Sequence, residues 1–251
     1  MIDGERPPER GVVPGVAVLP ALLAPAAVHL ARLAPGRFLL PILATLAVYP
    51  VMAILILRGR RVTAAVATLL WAASLSLTII ATTRNDPESM ARIVLNGAEY
   101  RDELFDFIRV GAGRESDPAR FLPQHILHFA AFGVLAAGSG GLLGIALGAV
   151  LVGYMSFYVG ALAAAGGAPL TAYCLGWSPW AIVRVIGYVI AGVALSEPLL
   201  SVARRRRGLS VPGLAYRRWL LVAGALLVVD PLLKAALAPM WAILLRPCLS
   251  P

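Results

Sequence analysis

The feature that most restricts the fold of this chain is a stretch of 63 residues, 121–183, that contains no Asp, Glu, Lys or Arg. A soluble domain has roughly one charged residue in four, so a stretch of this length has too few charges to face water. Three shorter uncharged runs precede it, at 11–28, 38–57 and 62–83. At about 1.5 Å per residue, each run can cross the ~30 Å hydrocarbon layer of a membrane. The pattern predicts an all-α fold, a polytopic helical membrane bundle.

Turn residues divide the long stretch into separate spans. The glycines at 138–141 predict a turn between spans four and five, and the prolines between 169 and 179 separate span five from span six. With span six at about 180–200 and span seven at about 219–245, we expect about seven spans. Cleavage of the first run as a signal peptide would leave six, although the acids mixed into the basic start favour an uncleaved span.

The predicted organisation has three parts, which are three transmembrane spans in 1–83, a polar segment in 84–120 and four transmembrane spans in 121–251. The polar segment has six Arg and eight acidic residues, and its apolar residues, among them Leu104 and Ile108, fall near helical spacing. This pattern predicts one or two amphipathic helices on the membrane surface. A small folded cap on the spans is the alternative.

The formal net charge of +9 would suggest nucleic-acid binding in a soluble protein. Here the Arg residues cluster at span ends, where they set membrane orientation. Eleven Arg flank one side and three flank the other, which predicts a cytoplasmic N-terminus, an outer C-terminus and an extracytoplasmic 84–120 segment. We expect a multi-pass protein of the cell inner (plasma) membrane. Its expected partners are membrane lipid and, as an alternative, other membrane subunits, with no nucleic acid.

A few charged residues interrupt the predicted spans, where each costs at least ~2.5–3.5 kcal/mol. Asp230 and Lys234 are four residues apart in span seven, so they share a helix face and are interpreted as an internal ion pair, with ion or proton coupling as the functional alternative. Glu197 is interpreted as a carboxylate that reaches toward the Arg run at 204–207. Arg184 is either an interface anchor or an anion-binding group. These four residues are the candidate binding set.

A second candidate site lies at the predicted outer face. His125 and His128 are three residues apart at the start of span four, Glu115 precedes them, and Tyr158 belongs to span five. Imidazoles beside a carboxylate can relay protons or bind zinc, so these four residues are the catalytic candidates. Histidines that are hydrogen-bonded at a helix start are the structural alternative. Two cysteines without a paired spacing indicate no metal site, and no cofactor motif occurs.

Two short segments resemble known families. The run at 137–140 resembles the Gly-x-Ser-Gly motif of rhomboid intramembrane proteases, which implies a nucleophilic Ser139, but Val185 stands where that family has its histidine. Asp230 and Lys234 are similar to the retinal-binding helix of microbial rhodopsins, but span three has no Asp, Glu or Arg to act as counter-ion. Neither resemblance extends beyond one or two helices.

Three functions follow from these observations. The first is a transport component, or one that binds a small molecule or lipid, with the charged residues of the spans as its polar lining. The second is an intramembrane or membrane-surface hydrolase with a site at the outer face. The third is a structural subunit of a membrane complex, which would dock through the 84–120 segment.

Overall fold

The computed structural model describes residues 15–34, 36–206, 208 and 216–250. Within these ranges the chain forms ten α-helices and one short 3₁₀ helix, and no strand. In chain order the elements are α1 (Gly15–Leu33), α2 (Leu39–Leu57), α3 (Arg61–Asn85), α4 (Pro87–Ile93), α5 (Gly97–Val110), α6 (Pro118–Ser139), α7 (Leu142–Ala164), α8 (Pro169–Leu175), α9 (Pro179–Arg206), α10 (Tyr216–Leu245) and the 3₁₀ helix (Arg246–Leu249).

Seven of these helices, α1, α2, α3, α6, α7, α9 and α10, are long and apolar enough to cross a membrane. The chain is therefore an integral, multi-pass membrane protein, and the predicted all-α bundle of about seven spans is confirmed. The second and third predicted spans match α2 and α3 to within two residues. The first predicted run, 11–28, begins outside the described residues, and α1 continues beyond it to Leu33.

The centre of the bundle is formed by α3 and α7. Every residue of α7 from Met155 to Ala163 is buried. The helices α2, α3 and α5 all pack against α7. Gly160 permits the closest approach, since a Cβ there would lie 2.6 Å from the Cβ of Thr83 and 2.7 Å from the carbonyl oxygen of Ile80. Small residues allow helix backbones to approach closely in membrane proteins.

The predicted turn between spans four and five is confirmed. Gly140 and Gly141 have φ values of 62° and 95°, a region that glycine adopts without steric cost. A side chain at Gly141 would also collide with Ser196, whose Oγ lies 2.1 Å from the ideal Cβ position. Of the next two glycines along α7, Gly144 and Gly148, only Gly144 is in a close helix contact. A Cβ at Gly144 would meet Ala136 of α6 at 2.8 Å, whereas nothing lies within 4 Å at Gly148.

The two ends of the bundle differ in composition. All the short helices, α4, α5, α8 and the 3₁₀ helix, lie at one end, which we call the capped end. The opposite end, which we call the Arg-rich end, is where α2, α6 and α9 finish and where α3, α7 and α10 begin. Its described basic residues are Arg58, Arg60, Arg61, Arg204, Arg205, Arg206, Arg217 and Arg218.

The polar segment contains two helices, α4 and α5, and α5 packs against the bundle as the folded-cap alternative predicts. This helix buries Leu104, Phe107 and Ile108 and packs against α7 of the bundle. Gly97 at its start is close to the Phe157 ring of α7, with an ideal Cβ 3.1 Å from it. The apolar face of α5 is therefore satisfied by protein and is not left for lipid.

The close contact at Gly160 predicts that a larger side chain there destabilises the protein, whereas one at Gly148 does not. Replacing Gly160 with Ala is expected to lower the free energy of unfolding by ~1–3 kcal/mol, because α3 must move to admit the methyl group. Gly148→Ala is the matched control, and it is expected to raise stability by up to ~1 kcal/mol because Ala is the better helix former. Denaturation of both variants in detergent measures the difference. Equal stabilities would contradict the proposed contact.

Candidate functional site

A cluster of five ionisable side chains lies at the boundary between the cap and the bundle, and we call it the polar cluster. It comprises Glu115 from the loop between α5 and α6, His125 from α6, Arg184 from α9, and Asp230 and Lys234 from α10. These residues come from four separate parts of the chain. Three of them belong to the predicted binding set and two to the catalytic candidates, and the structure brings all five together.

Local sequence explains how α6 and α9 present their members of the polar cluster. The Asp117 side chain caps α6 by accepting a hydrogen bond of 3.0 Å from the Ala119 N–H, and Pro118 occupies the first turn. Both features stabilise a helix start and place His125 two turns further along. Proline also opens α9, and Arg184 follows Pro179 by five residues.

The strongest contact in the polar cluster joins Arg184 to Asp230. The Nε of Arg184 donates to one carboxylate oxygen at 2.7 Å and a terminal nitrogen donates to the other at 2.9 Å. This paired geometry is the strong form of an Arg–carboxylate interaction. Asp230 is only 2% exposed, so its charge depends on this contact in a region where water is scarce.

His125 contacts the guanidinium group of Arg184, and its two hydrogen-bond partners fix its protonation state. Its Nε2 faces a terminal nitrogen of Arg184, and its Nδ1 lies 2.9 Å from the carbonyl oxygen of Phe121. Arginine can only donate and a carbonyl can only accept. The imidazole is therefore neutral with its proton on Nδ1. Both ring nitrogens are engaged, which leaves His125 no free lone pair to act as a base.

Lys234 binds a different carboxylate. Its Nζ lies 2.8 Å from Glu115 and 4.6 Å from the centre of the Phe121 ring. The ammonium group is thus held by an ion pair and by a cation–π contact. Because Glu115 belongs to the loop that follows α5, this pair fastens the cap to the last span.

The predicted ion pair between Asp230 and Lys234 is wrong. Both residues are buried, with 2% of each exposed, but Asp230 binds Arg184 and Lys234 binds Glu115. Spacing along α10 correctly indicated a shared location. It could not reveal that two other chain segments supply closer partners.

Tyrosines form one wall of the polar cluster. Tyr100 of the cap lies against Tyr154 and Tyr158 of α7, with ring centres 4.5 Å and 6.1 Å away. Burial raises the pKa of Tyr100 well above its usual value, so its hydroxyl remains protonated. The buried Tyr158 hydroxyl has no hydrogen-bond partner among the described residues, which leaves one polar atom available inside this wall.

A cavity of about 40 Å³ lies between this wall and the polar cluster, and its lining includes all four catalytic candidates. These are Glu115, His125, His128 and Tyr158. The volume is close to that of one water molecule. The cavity can therefore hold a bridging water, but it is too small for a substrate in this conformation.

Glu197 is not part of the polar cluster. It lies thirteen residues beyond Arg184 on α9, roughly 20 Å along the helix. The interpretation of its partner was also wrong, because Glu197 binds Arg61 at the start of α3, with Nε donating to Oε2 at 2.7 Å. The sequence gives no signal for this pair, because its members are 136 residues apart.

Ser139 does not have the surroundings of a nucleophile. Its hydroxyl donates to the carbonyl oxygen of Leu135 at 2.6 Å and accepts from the Leu143 N–H at 2.9 Å. The side chain thus bridges the end of α6 and the start of α7. The rhomboid resemblance reflects a glycine-rich helix turn in this protein.

A larger apolar groove of about 570 Å³ lies between α3 and α9, near the polar cluster. Trp177 closes its capped end, where the indole Nε1 donates to the Ser76 hydroxyl at 3.1 Å. Trp177 and Val185 line this groove and also line the space beside Arg184 and His125. Neither Trp177 nor Tyr100 is among the candidate residues that the sequence indicates.

Charge pairing in the polar cluster predicts a large stability cost for Asp230→Asn. The substitution leaves a buried guanidinium without its carboxylate, so the free energy of unfolding in detergent should fall by ~3–5 kcal/mol. Asp106→Asn is the control, because Asp106 pairs with Arg109 on the exposed surface and should change stability by at most ~1 kcal/mol.

A combined Asp230→Leu and Arg184→Met variant should lose less stability than the sum of the two single variants, because no unpaired charge remains. Additive losses, or an Asp230→Asn variant as stable as the control, would contradict the described pairing.

The described residues contain no group of three His, Cys, Asp or Glu side chains placed to hold a metal ion. The chain matches no known protein-family model, no curated protein and no solved structure. Its function is therefore inferred from the polar cluster and the adjoining groove.

Proposed function

We propose that this protein binds an amphiphilic small molecule of the lipid class within the membrane. The apolar part of the ligand would occupy the groove between α3 and α9, and its polar part would meet the polar cluster. The observation that carries this proposal is the shared wall, because Trp177 and Val185 line both spaces. Hydrocarbon and polar surfaces are thereby adjacent, as an amphiphile requires.

The groove has the size and chemistry of a lipid-chain site. Its volume of about 570 Å³ falls within the ~300–1,000 Å³ of small-molecule pockets. Ser76 is one of its few polar lining residues. Leu77 and Ile182 are exposed along its rim, so a ligand could enter sideways from the surrounding hydrocarbon.

The charges of the polar cluster indicate which kind of ligand headgroup it would bind. Arg184 and Lys234 contribute two positive charges, Glu115 and Asp230 contribute two negative charges, and His125 is neutral. This balance suits a headgroup that carries both signs better than a bare anion. Because the cavity holds about one water, the headgroup would contact the edge of the polar cluster beside Trp177, with water completing its hydrogen bonds.

Binding is a better proposal than transport. A transport route would have to continue from Arg184 toward Glu197, but the buried face of α9 between them consists largely of small or apolar residues such as Gly187, Ala191 and Ala194. Glu197 is also occupied by Arg61.

The membrane orientation of the chain is also part of the proposal. By the positive-inside rule, the Arg-rich end would face the cytoplasm of a plasma-membrane protein.

The proposal predicts selective labelling of the groove by a photoreactive lipid. The probe is phosphatidylethanolamine with a diazirine in one acyl chain, incorporated with the full-length protein into phosphatidylcholine nanodiscs. We expect cross-links at Leu77 and Ile186 to exceed those at equally exposed residues elsewhere, because the groove holds the chain. Mass spectrometry of peptides measures the distribution.

Ala73→Phe should reduce the groove cross-links several-fold, since Ala73 lines the groove. Val66→Phe is the matched control, because Val66 is exposed on the same helix two turns away and lies outside the groove lining. The proposal would be overturned if the number of cross-links at each residue depended only on its exposure, or if Ala73→Phe and Val66→Phe reduced the groove cross-links equally.

A hydrolase that acts on such an amphiphile is a second candidate, favoured because His128 lines the space beside Arg184 that shares Trp177 and Val185 with the groove. Since both nitrogens of His125 are engaged, His128 would be the general base. The hypothesis predicts release of fatty acid from phosphatidylethanolamine by the reconstituted protein, and loss of that release in His128→Ala but not in His29→Ala. Absence of release by the unaltered protein would remove this candidate.

A further inference from the structure

We infer that the ligand of the apolar groove is a phospholipid and that Arg84 binds its phosphate at the capped end of the groove. The inference rests on the proposed function, because it identifies the polar group of the amphiphile that the groove would hold. It goes further by assigning the negative charge of that ligand to one side chain outside the polar cluster.

Arg84 lies beside the capped end of the groove. Leu77, Ile80 and Ala81 of α3 line the groove. Arg84 follows Ala81 by three residues on the same helix, about 4.5 Å further along its axis, and shares its face. The guanidinium carbon of Arg84 lies 5.7 Å from the centre of the Tyr173 ring. Because Tyr173 also lines the groove, this contact places the positive charge next to the space that would hold the acyl chain.

The positive charge of Arg84 is not neutralised within the described part of the chain. Asp86 is the nearest acid in sequence, but its carboxylate binds Arg32 at 2.7 Å and accepts from the Ser89 N–H at 3.0 Å. The described contact of the guanidinium is with the Tyr173 ring. No acceptor among the described residues takes a hydrogen bond from Arg84, so its five N–H donors are available to a ligand.

A phosphate satisfies this site better than other polar groups of amphiphiles. The planar guanidinium can donate two parallel hydrogen bonds to phosphate oxygens, and the exposed Tyr173 side chain provides a further hydroxyl donor. A sterol or a diacylglycerol has no charge to offer Arg84. A fatty acid has a negative charge only, whereas the polar cluster suits a headgroup that carries both signs, as a zwitterionic phospholipid does.

The test compares two photoreactive lipids that differ only in the headgroup. Phosphatidylethanolamine and diacylglycerol, with the same diazirine in one acyl chain, are each incorporated with the full-length protein into phosphatidylcholine nanodiscs. Cross-links at Leu77 and Ile186 in the groove are divided by those at Leu170, which is exposed on α8 outside the groove lining. This ratio should be about 5-fold higher for phosphatidylethanolamine, the factor that one Arg contributes to binding an anionic group near a membrane surface.

Arg84→Gln should lower the ratio for phosphatidylethanolamine to that for diacylglycerol and leave the diacylglycerol ratio unchanged. Arg84→Lys should retain a smaller preference, because the charge remains but the paired donors are lost. Arg92→Gln is the matched control, since Arg92 is exposed on α4 at the same end of the bundle and does not line the groove. It should change neither ratio. Equal losses for both lipids in Arg84→Gln would indicate a structural effect and overturn the inference.

The unaltered protein distinguishes failure of this inference from failure of the proposed function. If both lipids label the groove equally and above the level that exposure predicts, chain binding stands and the phosphate assignment is overturned. If neither lipid exceeds that level, the proposed function fails and the inference fails with it. These two comparisons need no variant, so they remain decisive even if Arg84→Gln does not fold.

Two further measurements identify the source of the anionic group. Excess inorganic phosphate should leave the preference for phosphatidylethanolamine unchanged, and loss of that preference would indicate a site for the free anion. A fatty acid with the same diazirine should label the groove less than phosphatidylethanolamine does. An equally high ratio for the fatty acid would indicate a carboxylate site. Either of the contrary results would overturn the inference.

Discussion

The capped half of this structure depends on the pairing of buried charge between Arg184 and Asp230. An ionised group in a medium of low polarity is tolerated only when its partner satisfies both charge and hydrogen bonding. The contact fixes α9 against α10, and His125 attaches α6 to the same guanidinium. Three spans that could otherwise slide along one another in lipid, where apolar packing provides little orientation, are thereby held in one register.

Much of the fold could be read from the sequence because the membrane imposes a simple rule. Backbone polar groups in hydrocarbon must be satisfied within the helix, so long uncharged runs indicate spans, as α2 and α3 illustrate. The turn at Gly140 and Gly141 was equally clear, because glycine marks positive φ. The sequence did not indicate whether the apolar face of α5 packs against lipid or against protein, because an amphipathic helix can do either.

The candidate site was only partly predictable for a related reason. Scarcity of charge identified Asp230, Lys234, Arg184 and Glu197 as residues that need partners, but it does not identify those partners. Pairing depends on which helices become neighbours. Lys234 bound Glu115 of a distant loop, and Glu197 bound Arg61 at the other end of the bundle. The residues that matter through shape, such as Trp177, carry no charge and gave no such signal.

The ion pair between Glu115 and Lys234 has a consequence for biosynthesis. Glu115 precedes α6 in the chain, whereas Lys234 belongs to α10, which is synthesised later. Until that helix inserts, Glu115 lacks its cation and Arg184 lacks its carboxylate. The charge pairing in this region is therefore completed only when α10 inserts, and a nascent chain that stalls before α10 holds unmatched charges in the membrane.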